Sequence, residues 1–218
     1  MAGQDGLLMR RLVLAAALLL AAATAGCAGS AREPVSAAPT GAPPDAEFSA
    51  SVTQEDEVLH IRYRLVNKGS GGVYVLNGVP LQEQTLSVRP AADAVYVTGR
   101  GGHIAEIAKR AFDMPDTDSK AWEAPYRVAG HLVAPGEAFS EEVTVALPLH
   151  RRHPYGDDVG EGVIELPDPT DTVVFCVGVV REAWQPPEST PALPLFPHLS
   201  STTRNQHLFC SAPAPVAQ

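Results

Sequence analysis

The sequence predicts an all-β fold, a two-layer sandwich of about seven or eight mostly antiparallel strands. Three observations carry this reading. Several short segments alternate apolar and polar residues with period 2, as a strand with one dry and one wet face does. Clusters of Gly, Asn and Pro separate those segments, in a chain with 18 glycines and 20 prolines. Apolar stripes at helical spacing are few, so a helical core has little to build on.

The ordered domain is expected over residues 46–212. Phe48, Ala50 and Val52 alternate as a first strand, and Gln54-Glu55-Asp56-Glu57 turns the chain. Leu59, Ile61, Tyr63 and Leu65 then face one way, with His60, Arg62 and Arg64 facing the other. Residues 67–72 form a turn, Val73 to Leu76 a further β-rich run closed by Asn77-Gly78, and Leu86 to Val88 a short strand. Ala94 to Thr98 is β-favouring. The next segment, His103 to Phe112, is ambiguous: Ile104, Ile107, Ala108 and Phe112 fit a helix, while the preceding glycine turn favours a returning strand. After Pro135-Gly136, Phe139, Glu141, Val143, Val145 and Leu147 alternate with Glu142, Thr144 and Ala146. Val173 to Val180 is apolar on both faces and reads as a central strand, and His207 to Ser211 as a short last one. Residues 213–218 are expected to be a disordered tail.

The N-terminus carries an address. Arg10 and Arg11 precede an unbroken run, Leu12 to Ala25, of Leu, Val, Ala and one Thr. That run is short for a membrane span and suits the apolar core of an export signal. Ala23-Thr24-Ala25 has the form of an ordinary signal-peptidase site. Thr24-Ala25-Gly26-Cys27 resembles the lipobox of bacterial lipoproteins, with Thr24 where that motif carries Leu. The resemblance implies a signal peptide over residues 1–26 and diacylglycerol on the Cys27 sulfur. Because Ala28 rather than Asp follows, it also implies forwarding to the outer membrane, with the domain facing the periplasm or the cell surface. Residues 27–45, rich in Ala, Pro, Ser and Gly, form a tether of roughly 23 Å over 18 residues.

A second resemblance concerns the fold. The stretch Leu59-His60-Ile61-Arg62-Tyr63-Arg64-Leu65-Val66-Asn67-Lys68-Gly69 resembles an early strand and turn of immunoglobulin-like domains in bacterial exported proteins, and so implies an immunoglobulin-like sandwich. The antibody-type Cys…Trp…Cys framework is absent.

Three cysteines remain to be assigned. With Cys27 lipidated, Cys176 and Cys210 are an even pair in an oxidising compartment. As a disulfide they would close a loop worth roughly 3–4 kcal/mol; the alternative is two buried free thiols.

Charge excludes one class of partner. The chain carries 16 basic and 25 acidic residues. Loss of residues 1–26 removes Arg10, Arg11 and Asp5, leaving 14 and 24, a net charge of −10. Such a surface repels phosphate backbones, so nucleic acid is not an expected partner. Apolar content of 45% argues against wholesale disorder.

No catalytic motif is found: there is no Gly-x-Ser-x-Gly elbow, His-Glu-x-x-His, Cys-x-x-Cys or P-loop. His150, His153, His198 and His207 read as solvated loop residues, and Asp113, Asp116, Asp118, Asp157, Asp158 and Glu161 lack the ligand spacing of a calcium loop. No metal or cofactor is expected. The stretch Arg181 to Arg204 is long for a compact domain and holds Trp184, Phe196 and Pro186, Pro187, Pro191, Pro194 and Pro197. Trp184 and Phe196 are therefore candidates to touch a partner, or else they cap the sandwich edge. The expectation is a membrane-tethered binding, scaffolding or assembly module with an envelope-protein partner. The alternatives are a periplasmic enzyme with an unrecognised site or a secreted inhibitor-like β module.

Overall fold

The computed structural model describes residues 38–83, 88–114, 122–156, 165–184 and 194–217. Two sheets face one another. The smaller has the order β1-β2-β7, built from β1 (Ala46–Glu55), β2 (Val58–Asn67) and β7 (Ala138–Ala146), all antiparallel. Its periodicity is the one read from the sequence. Leu59, Ile61, Tyr63 and Leu65 are buried, while Arg62 and Arg64 are exposed. Asp56, at φ 51°, takes the left-handed position of the β1–β2 turn, which a short polar side chain tolerates.

The larger sheet is organised around β8 (Thr172–Arg181). Along one edge of β8 lie β5 (Ile104–Lys109), parallel to residues 172–177, and β3 (Val73–Gly78), antiparallel to residues 179–181. Along the other lie β10 (Gln206–Cys210) and β11 (Ala214–Pro215). Outward from β5 is β4 (Tyr96–Gly101); outward from β3 are β6 (Arg127–Val133) and then β9 (Leu195–Pro197). A single-turn helix, α1 (Ser200–Thr203), precedes β10.

Both faces of this sheet are dry along β3, β5 and β8. One packs on the small sheet: Val73, Val75, Ile107, Phe175, Val177 and Val179 meet Leu59, Ile61, Tyr63 and Leu65. The Tyr63 ring lies 4.9 Å from Phe175, centroid to centroid. The other face carries Tyr74, Leu76, Tyr96, Phe112, Val128, Val180 and Phe196 under connecting segments. A strand covered on both faces cannot alternate, which is why Val173 to Val180 reads as one apolar run.

Polar side chains tie the layers. Asn67, expected only as a turn residue, is fully buried; its amide donates to Gly71 O (2.9 Å) and Val133 O (3.0 Å) and accepts from Gly69 N–H (3.0 Å). Lys109 is fully buried too. Its ammonium donates to Ala92 O (2.7 Å) and pairs with Glu141 at 3.1 Å, and Tyr63 Oη donates to the same carboxylate. Burial lowers the Lys109 pKa, against the pull of Glu141.

The structure corrects several boundaries. Eleven strands occur among the described residues rather than seven or eight, with one parallel pair. The segment 103–112 contains strand β5, as the glycine turn favours. The long Arg181–Arg204 connection holds β9 and α1, and within it residues 185–193 lie outside the described residues. The end of the chain is not a free tail, because β11 pairs with β8 and Val216 sits in the main core. The segment expected as a tether is bonded to the domain from Thr40 on. Thr40 donates its backbone N–H to Arg204 O (2.7 Å), and Arg181 donates to Ala42 O and Pro43 O.

Candidate functional site

The site is built on β10. Its strand pairs with β8 through Gln206↔Val180, Leu208↔Gly178 and Cys210↔Cys176. Ser211 N–H donates to Phe175 O at 2.8 Å, which makes that pair a hydrogen-bonded one. Such pairs alternate along an antiparallel ladder. Phe209 and His207 therefore also bond β8, whereas the N–H and C=O of Gln206, Leu208 and Cys210 point away from it. Cys210 and Cys176 thus form a non-hydrogen-bonded pair, the closer type, with Cα atoms 4.2 Å apart, and they are disulfide-bonded. Both predicted disulfide cysteines are thereby placed.

A groove of roughly 550 Å³ runs beside this strand, lined by Pro39, Pro43, Arg110, Thr203, Gln206, His207, Leu208 and Phe209. Pro39 and Pro43, from the segment expected as a tether, form one wall. Leu208 is 41% exposed at its centre. The floor is rigid. Gly178 leaves room for Gln206 and Arg110, since a Cβ there would lie 2.4 Å from Gln206 Oε1 and 3.2 Å from Arg110 Cβ. The Gln206 amide closes on the Ala111 backbone, accepting its N–H (2.9 Å) and donating to its C=O (2.8 Å). Arg110 bonds Glu106 at 2.6 Å and lies 3.7 Å over the Phe112 ring.

Behind the floor lies a buried polar network. Phe112 N–H donates to His198 Nδ1 (3.0 Å), so the ring carries its proton on Nε2 and donates to Tyr96 Oη (3.0 Å). Tyr96 Oη in turn donates to Glu83 Oε1 (3.0 Å), which Arg152 approaches at 3.3 Å. His198 also holds Tyr155 Oη on its carbonyl (2.6 Å) and donates its N–H to Tyr126 O (2.8 Å). Burial, with help from His153 and Arg110, holds the His198 pKa well below its ordinary value. The same causes, burial first and then Arg151 and Arg110, push His153 down to about 3. Burial raises Glu83 to about 7, opposed by the Tyr96 hydrogen bond and Arg152. Tyr96 and His198 are fully buried, while Glu83 and Arg152 at the network's end are partly exposed.

The expectation of solvated histidines is corrected for His198 and His153, because the second face of the large sheet is covered. His150 is exposed, and His207, half-buried, lines the groove and bonds the Thr40 backbone. Of the two candidate partner-binding residues, Phe196 is a core residue, fully buried beside Tyr74. Trp184 stacks on it with centroids 6.2 Å apart and is half-buried. Asp113 accepts Thr203 Oγ1 at 2.5 Å. Cys27, Asp116, Asp118, Asp157, Asp158, Glu161, Pro186, Pro187 and Pro191 lie outside the described residues. The sequence reading missed the groove, since its lining comes from residues 39 to 209; the one signal was the outward Leu208 in a strand ending at Cys210. Compared with family models, curated proteins and solved structures, the chain finds no match.

Proposed function

We propose that this chain is a lipid-anchored protein of the bacterial cell envelope whose β-sandwich binds another envelope component. The observation that carries the reading is the cysteine count. Cys176 and Cys210 are bonded to each other, so Cys27, set among small residues after an apolar run, is the one thiol left for acylation. A structural disulfide also fits an oxidising compartment. Ala28 favours the outer membrane as the destination. Two acyl signals or more hold a protein firmly where one chain does not, and a lipoprotein carries them on a single residue. Binding is favoured over catalysis because Tyr96 and His198, at the centre of the ionisable network, are fully buried, whereas the groove is open.

Intact-mass measurement of the exported protein tests this. The expected result is a chain starting at an acylated Cys27, released from membranes or left unprocessed by Cys27→Ala. An unmodified mature start at Gly26 would leave simple secretion instead.

A further inference from the structure

We propose that the open edge of β10 is a docking strand for an extended, carboxylate-bearing segment of a partner envelope protein, which adds to the large sheet beside Leu208. This deepens the binding reading above and rests on it. Two observations carry it. The first is the orientation of the backbone. The N–H and C=O of Leu208 and Cys210 point away from β8, and among the described residues no strand pairs with that edge. Unpaired edge groups are a template for another chain, and main-chain hydrogen bonds supply affinity in strand addition. The edge of β7, by contrast, is blunted where Asp93 Oδ1 accepts the Thr144 N–H at 3.0 Å.

The second observation is charge. In a chain with 25 acids and 16 bases, the positive charge at this edge comes from Arg181 and Arg204, both exposed at the start of the strand, whose partners there are backbone carbonyls and N–H groups of residues 40–43. Arg110 in the groove lining is already paired with Glu106. A negative segment is attracted to Arg181 and Arg204. A second copy of this chain, bringing its own Arg181 and Arg204 to the same edge, is repelled locally. Leu208 offers an apolar contact for the side chain opposite it. The hydrogen bonds that fix Gln206 and Arg110 mean little side-chain ordering is required on binding.

The test uses the purified exported protein in detergent micelles and a heptapeptide that alternates valine and threonine around a central glutamate. A second peptide carries lysine in place of that glutamate. Amide exchange and peptide titration are the readouts. The expected result is slowing of the Leu208 and Cys210 amides by about tenfold or more at saturation, with the lysine peptide about tenfold weaker. Leu208→Pro removes one outward N–H without touching the β8 ladder, and edge strands accept proline there. It should abolish binding while β8 amides stay protected. Leu208→Glu keeps the backbone and should weaken the glutamate peptide by a similar factor through repulsion. The proposal is overturned if neither amide is slowed, or if binding survives both substitutions. It is equally overturned if Leu208→Glu instead dissolves a dimer of this chain, or if phosphatidylglycerol vesicles bind at this edge and the peptide does not. Lipid on Cys27 is read separately by mass, so failure here leaves the anchoring result standing, and the reverse.

Discussion

Replacing His198 with glutamine should leave the protein folded at pH 7.5 and make it more resistant to acid than the wild type. In the native state Nδ1 accepts the Phe112 N–H, so a proton placed there would confront another N–H. Full burial adds to the penalty, and the folded pKa lies well below the ordinary 6.5. The unfolded chain, whose histidine titrates near 6.5, binds the proton first. Stability from this residue is therefore intact above about pH 6.5 and falls as pH drops from there toward the folded pKa. The loss grows steadily as pH falls through that window. His153, held at about 3, loses stability in the same direction. Glu83 works oppositely: with its folded pKa raised from 4.5 to about 7, its penalty is present above 7 and is relieved as pH falls toward 4.5. Wild type and variant share these two contributions, so their difference isolates His198. Glutamine can accept from Phe112 and donate to Tyr96 without a charge. Urea denaturation at pH 7.5 and 5.0, with the disulfide intact, gives the comparison. The wild type should lose clearly more stability than His198→Gln across that interval. Parallel losses in the two proteins would refute the neutral, hydrogen-bond-fixed histidine.

Three further outcomes follow from the packing. Trp184→Ala should cost about 2 kcal/mol, roughly half a full core truncation, because the half-buried ring covers Phe196. A stability left unchanged with tenfold weaker partner capture would instead make Trp184 a binding residue. Gly130→Ala places a Cβ 2.6 Å from Phe196 Cε2, with Tyr74 Cβ at 3.3 Å, and should lower stability by about 1–3 kcal/mol. Combining it with Phe196→Leu should recover part of that loss in thermal melts, and strict additivity of the two would contradict the clash. Cys176→Ser should destabilise by roughly 4 kcal/mol, the chain-entropy value for a bridge over a separation of 34 residues. An unmoved denaturant midpoint on full reduction would contradict it.

Some elements were legible because burial followed a simple period. β2 and β7 each have one face in water and one on the large sheet, so they alternate. The β8 run has no polar face and is readable as a covered strand. β6, β9 and β11 carry no such mark. Gly130 interrupts β6 because the Phe196 ring sits against it, β9 is three residues ending in Pro197, and β11 is two residues including Pro215. The His198 network was illegible for another reason. Its members sit at positions 83, 96, 112, 152 and 198, and no spacing along the chain shows that they converge.

By itself, then, the sequence determined the strand-rich core, the acidic charge and the two cysteines available to pair, because composition and period-2 patterning act locally. It also carried the arginine pair and apolar run of the N-terminus on which the proposed export rests. Only the tertiary structure decided that the centre of the large sheet is covered on both faces, which turned histidines expected in water into buried hydrogen-bonding groups. It alone decided which strand edge stays open, because the outward direction of the Leu208 backbone depends on the β8–β10 register. That register follows from contacts between segments some thirty residues apart, and a local pattern holds no record of them.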